Sequence, residues 1–69
     1  MQEIKLRDEY IKLGQALKAA GVVDSGVIAK LVIQDGKVMV NNQVELQRGK
    51  KLYDGDIVTA LGETIKIVK

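Results

Sequence analysis

Within "QRGKKLYDGD", residues 47–56, three cations, Arg48, Lys50 and Lys51, fall within four positions, and the stretch then turns acidic at Asp54 and Asp56. Guanidinium and ammonium groups at that density can meet successive phosphate oxygens, the first as a planar fork and the others as point charges. Gly49, lacking a side chain, lets the main chain come close to an anion. Asp54 and Asp56 form a close carboxylate pair. General acid–base work would require them in a cleft with separated proton affinities, whereas the order Asp-Gly-Asp suits two turn residues flanking Gly55, the simpler reading.

The remaining inventory narrows the chemistry. There is no His, no Cys, no glycine-rich phosphate loop and no Ser-x-x-Lys pair, so the usual nucleophile–base pairs and a Cys/His zinc site cannot be assembled. No catalytic residue, metal or cofactor is therefore expected. Eleven Lys and Arg against nine Asp and Glu give a net charge of +2, and only the distribution of that charge is informative. Scattered lysines usually solvate a surface. Lys30, Lys37 and the Arg48–Lys51 group could nevertheless be brought to one rim by helix–strand packing, with Ser25, Asn41, Asn42 and Gln47 adding hydrogen bonds to phosphate or sugar. The aromatic residues are Tyr10 and Tyr53 only, a poor supply for a single-strand stacking platform; recognition of a folded RNA by shape and backbone fits better.

The elements that must hold these residues can be read from periodicity. At 69 residues the chain is one domain, 1–69, and a domain of this size buries only about 60% of the surface its unfolded form exposes. Ile4 and Leu6 alternate with polar neighbours as in a short strand. Asp8 is placed to cap a helix of about three turns carrying Tyr10, Leu13, Ala16, Leu17 and Ala20, stopped by Gly21. Ser25, or Asp24, caps a second helix with Ala29, Val32 and Ile33 as its core stripe, ended by Gly36. Val38, Val40, Val44 and Leu46 then predict a hairpin turning at Asn41-Asn42. "YDGD" and Gly62-Glu63 are further turns, leading into strands around Ile57–Leu61 and Ile65–Ile67. The fold class is α+β: a two-helix hairpin on a small antiparallel sheet of about four to five short strands. The charged start "MQEIKLRDEY" and the lack of a long apolar run predict a soluble, cytoplasmic protein with no membrane span.

The segments "YIKLGQALKAAGVVDSG", "AKLVIQDGKVMVN" and "RGKKLYDGDIV" together resemble the RNA-binding domain named after ribosomal small-subunit protein four, the S-four or alpha-L domain. The resemblance covers residues 3 to 68 and is strongest to small stand-alone bacterial members of the YaaA/YbcJ type. It implies two helices on a strongly bent antiparallel sheet and an RNA-facing surface made by the second helix and the loops beside it. Its helix start falls on Ser25 and Gly26, its helix lysine on Lys30, its hairpin asparagine on Asn41, and its basic loop on Arg48, Lys50 and Lys51. Structured RNA, ribosomal above all, is the partner implied.

Two positions depart from the family pattern. The hairpin turn is Asn41-Asn42-Gln43 where the family has Asn-Gly, so Asn42 must take the left-handed conformation. Val27 and Ile28 replace a Gly and a polar residue; with Leu31 they either pack against the sheet and first helix or form a small exposed patch suited to a protein partner. An adaptor working through that patch is one alternative function. Another is a β-grasp regulatory domain, because "LYDGDIVTAL" resembles the late strand of ubiquitin-like carriers; a carrier would end in Gly-Gly, and this sequence ends in Ile67-Val68-Lys69.

Overall fold

The computed structural model describes all residues, 1–69. The chain runs β1 (Gln2–Lys5), β2 (Ile11–Lys12), α1 (Leu13–Ala19), α2 (Gly26–Gln34), β3 (Val38–Val40), β4 (Gln43–Val44), β5 (Lys51–Leu52), β6 (Ile57–Ala60) and β7 (Glu63–Val68). Five strands form one sheet in the order β1-β7-β6-β3-β4, and β2 and β5 form a separate two-stranded ribbon. The expected α+β class and helical hairpin are present. All pairings are antiparallel except that of β1 with β7, which is parallel; the intervening helices and strands carry the chain back to the edge that β1 occupies.

The period-two residues make the floor of the core. Val38, Val40, Val58, Ala60, Ile65 and Ile67 line one sheet face, and Leu13, Ala16 and Leu17 of α1 and Ala29 and Ile33 of α2 close over it, with Leu6, Val23 and Leu52 at the margins. The core contains no buried polar or charged residue. Burying each large aliphatic side chain contributes about 1.5–3 kcal/mol, the main stabilising source in a chain without disulfides.

Local chemistry sets the element ends. Ser25 is extended (φ −151°, ψ 165°) and its hydroxyl accepts from the Ile28 N–H at 3.2 Å, capping α2. Gly21 (φ 75°) and Gly36 (φ 76°) stop the two helices in the left-handed conformation. Asn41 (φ 51°) and Asn42 (φ 69°) both take positive φ, as a two-residue hairpin turn between Val40 and Gln43 requires. The last turn sits one residue earlier than expected, at Leu61 (φ 50°) and Gly62, with Glu63 already in β7.

The first helix differs most from expectation. It begins at Leu13, not after Asp8; it has seven residues, and Tyr10 lies outside it. Ile11 and Lys12 are drawn into pairing with Leu52 and Lys51, which holds the chain extended through Lys12 (φ −78°, ψ 146°).

Candidate nucleic-acid interface

Lys12 offers no side-chain cap to α1, so the first N–H groups of that helix need partners from elsewhere. The basic loop supplies them. The Leu13 N–H donates to the Lys50 carbonyl at 2.8 Å and the Gly14 N–H to the Arg48 carbonyl at 3.1 Å. The loop is itself folded by the Lys50 N–H on the Gln47 carbonyl (3.2 Å) and the Gln47 N–H on Glu45 Oε2 (3.1 Å). Leu52, fully buried, anchors its far end. With their carbonyls turned toward α1, Arg48 and Lys50 remain exposed.

Gly14 explains how close this docking is. A Cβ at that position would lie 2.7 Å from Arg48 Cγ and 3.3 Å from Cδ, well inside the ~3.5–4.0 Å of an ordinary carbon–carbon contact. The arginine stem therefore runs across the glycine. Beside it lies a pocket of about 310 Å³ lined by Lys12, Gly14, Gln15, Lys18, Gly26, Arg48 and Gly49. Its wall holds three cations, no carboxylate and no apolar side chain. The single ion pair in the molecule is Lys37–Asp35, at 3.3 Å on an exposed and weak surface site. Lys12, Lys18 and Arg48 thus have no carboxylate within ion-pair distance, and none of their side chains donates a hydrogen bond inside the fold. Such a surface can receive phosphate oxygens without first breaking internal pairs.

Of the residues expected at the interface, Gly26, Arg48 and Gly49 meet at this pocket. Ser25 adjoins it in sequence, its hydroxyl oxygen engaged as the α2 cap. Lys30 and Lys37 are exposed but do not line it, nor do Gln47 and Lys50, which belong to the same loop. Lys51 lies over the Tyr10 ring, its Nζ 4.8 Å from the centroid, and the Tyr53 ring is 6.0 Å away from that of Tyr10. Asn41 is engaged within the fold: its Nδ2 donates to Asp56 Oδ1 (3.0 Å) and its Oδ1 accepts from the Ile57 N–H (2.9 Å). The carboxylate pair consists of turn residues, as the simpler reading had it. Asp56 also accepts from the Tyr53 N–H (2.8 Å) and Asp54 from the Lys69 N–H (3.0 Å). Val27, Ile28 and Leu31 are 68%, 43% and 57% exposed, so they form a patch and do not add to the core.

Sequence reasoning missed the contribution of α1. Gln15 and Lys18, three residues apart, share one helical face, Lys12 precedes the helix at its N-cap, and Gly14 interrupts an otherwise good helix former, a sign of close backbone or side-chain approach.

The helical hairpin, the sheet and the basic loop docked on them define the class of this protein as an alpha-L module. The solution structure of YbcJ from Escherichia coli, described as revealing an alfaL motif involved in RNA-binding, superposes with a TM-score of 0.77 at 30% identity, covering 100% of this chain and 89% of that one. A family model described as the S4 domain matches residues 4–68, and the chain belongs to that family. The "Probable ribosome maturation protein RlbA" of Bacillus subtilis strain 168 is 44% identical over 59 residues, covering 86% of this chain and 83% of that protein. YbcJ of Escherichia coli strain K12 is 32% identical over 59 residues, covering 86% and 84%.

Proposed function

We propose that this protein is a non-catalytic module that grips structured RNA, ribosomal RNA in particular, through phosphate contacts in a bacterial cytoplasm. The observation that carries this reading is the pocket between α1, the start of α2 and the basic loop, where Lys12, Lys18 and Arg48 converge without a carboxylate. Lys50, Lys51 and Gln47 extend the contact along the loop, Gly49 and Gly26 allow close approach of the main chain, and Ser25, Lys30 and Lys37 are outlying contacts. Asn41 serves by holding the hairpin. The names of the Bacillus relative, a probable ribosome maturation protein, and of the YbcJ structure, a motif involved in RNA-binding, support the same direction. A non-catalytic role is supported by the absence of His and Cys and by the engagement of Asp54 and Asp56 with main-chain N–H groups. No helix is long and apolar enough to cross a membrane.

Salt dependence tests the reading. Affinity for a ribosomal RNA hairpin should fall steeply with ionic strength, and Ala at Lys12, Lys18 or Arg48 should each lower the log–log slope by about one. A flat salt response, or unchanged binding when all three are Ala, would remove it.

A further inference from the structure

A second and larger hollow, of about 550 Å³, lies between β1, the segment from Leu6 to Ile11, and the outer side of α1. That volume is within the roughly 300–1,000 Å³ typical of small-ligand pockets. Gln15 and Lys18 belong to the walls of both hollows, so the two are neighbours across one face of α1. Their chemistry differs. The basic pocket has neither carboxylate nor apolar wall, whereas the larger one has Ile4, Leu6 and Ile11 among its lining and both signs of charge, Glu3 and Asp8 beside Lys5, Arg7 and Lys18. None of those charges is held in an ion pair.

The carboxylates Glu3 and Asp8 give this wall hydrogen-bond acceptors, and Ile4, Leu6 and Ile11 an apolar surface, that the basic pocket lacks. A nucleobase suits the same wall: its faces are apolar, and its N–H edge donates to carboxylate oxygens. Tyr10, also in the wall, has its ring set by Lys51 on it and Tyr53 beside it, so it need not be ordered on binding. Two tyrosines are too few for a stacking platform along a strand, but one ring is enough for one base.

We propose that this hollow receives the base of a single unpaired nucleotide, extruded from the RNA whose adjoining phosphates occupy the basic pocket, with Lys18 at the junction. The proposal rests on the RNA-binding reading and adds to it a preference for RNA with a bulged nucleotide. A bulge is the favourable substrate because its base is already unpaired, so little pairing energy is lost on extrusion.

The test compares two RNA hairpins of the same stem, one carrying a bulged adenosine and one fully paired, titrated with the full chain at low salt. The bulged hairpin should bind about tenfold tighter, the low end of what one base–aromatic contact supplies. Ala19 is exposed and lines only the larger hollow. Ala19→Trp should fill it, abolishing the preference while leaving the affinity for the paired hairpin in place, and Tyr10→Ala should reduce the preference in the same way. Lys12→Ala and Arg48→Ala should weaken both hairpins by the same factor. Equal wild-type affinities, or a preference that survives both Ala19→Trp and Tyr10→Ala, would overturn the base pocket while salt-dependent binding of both hairpins left the RNA-binding reading standing. Failure of the wild type to bind either hairpin would overturn both.

Discussion

Gly14→Ala separates the folding role of the basic loop from its binding role. The new methyl would sit 2.7 Å from Arg48 Cγ and 3.3 Å from Cδ, but 3.7 Å from the Arg48 carbonyl oxygen, an ordinary contact. The arginine stem must therefore swing by about 1 Å to restore normal carbon–carbon separation. The main-chain bond from the Gly14 N–H to that carbonyl, 3.1 Å long, can remain. Replacing a helical glycine by alanine is favourable by up to about 1 kcal/mol, which opposes a cost of about 0.5–1.5 kcal/mol for turning the Arg48 stem at Cγ, close to its main chain. Net stability should change by less than about 1 kcal/mol, a shift of under about 8 °C in Tm for a domain of this size. RNA affinity should respond differently. Displacing the guanidinium forfeits a charge-assisted contact worth about 1.5–3 kcal/mol at full strength, so a loss near tenfold is expected, with the salt slope falling by about one. Thermal denaturation and fluorescence anisotropy against a structured RNA at several salt concentrations measure both quantities. The decisive comparison is with Arg48→Ala: if Gly14 acts through Arg48, adding Gly14→Ala to that variant causes no further loss. Unchanged affinity and slope in Gly14→Ala, or full additivity with Arg48→Ala, would refute the reasoning.

Two further substitutions probe the remaining assignments. Asn41→Ala removes the bonds to Asp56 and the Ile57 N–H and leaves alanine at φ 51°. It should cost about 2–3 kcal/mol and lower Tm by about 10–20 °C, with Asn41→Gly recovering the backbone part; an unchanged Tm with weakened RNA binding would instead return Asn41 to the interface. Ile28 is 43% exposed, so Ile28→Lys should leave Tm within a few degrees and RNA affinity undiminished. Reduced co-sedimentation with ribosomal particles, at unchanged affinity for naked RNA, would then assign the α2 patch to a protein partner, and unchanged co-sedimentation would remove that role.

The legible parts of this fold are those fixed by neighbours in sequence. The Ser25 cap, the Asn41-Asn42 turn and the alternation through Val38 and Val40 each depend on contacts within a few residues, and each has the structure that its pattern predicts. The start of α1 does not, because it depends on residues almost forty positions away. Asp8 has the chemistry of a cap, but β2 pairs with β5, and the carbonyls of Arg48 and Lys50 take the place a capping side chain would fill. Tertiary pairing overrides local propensity at this point. The candidate site was half legible for the same reason: the cations of the loop are visible as a cluster in sequence, whereas their meeting with Lys12 and Lys18 depends on that long-range pairing.

The same contacts therefore begin a helix and assemble the site. Free N–H groups at Leu13 and Gly14 draw two loop carbonyls inward, and a loop whose carbonyls face the helix can present its side chains outward. Gly14 lets Arg48 lie flat across the helix start, and Leu52 fixes the loop's exit in the core. Cation placement in this protein is thus coupled to the integrity of α1 through the main chain, more than to any charge–charge contact. The loop has no ion pair to hold it, so high salt would weaken RNA binding by screening while leaving the loop in its docked conformation.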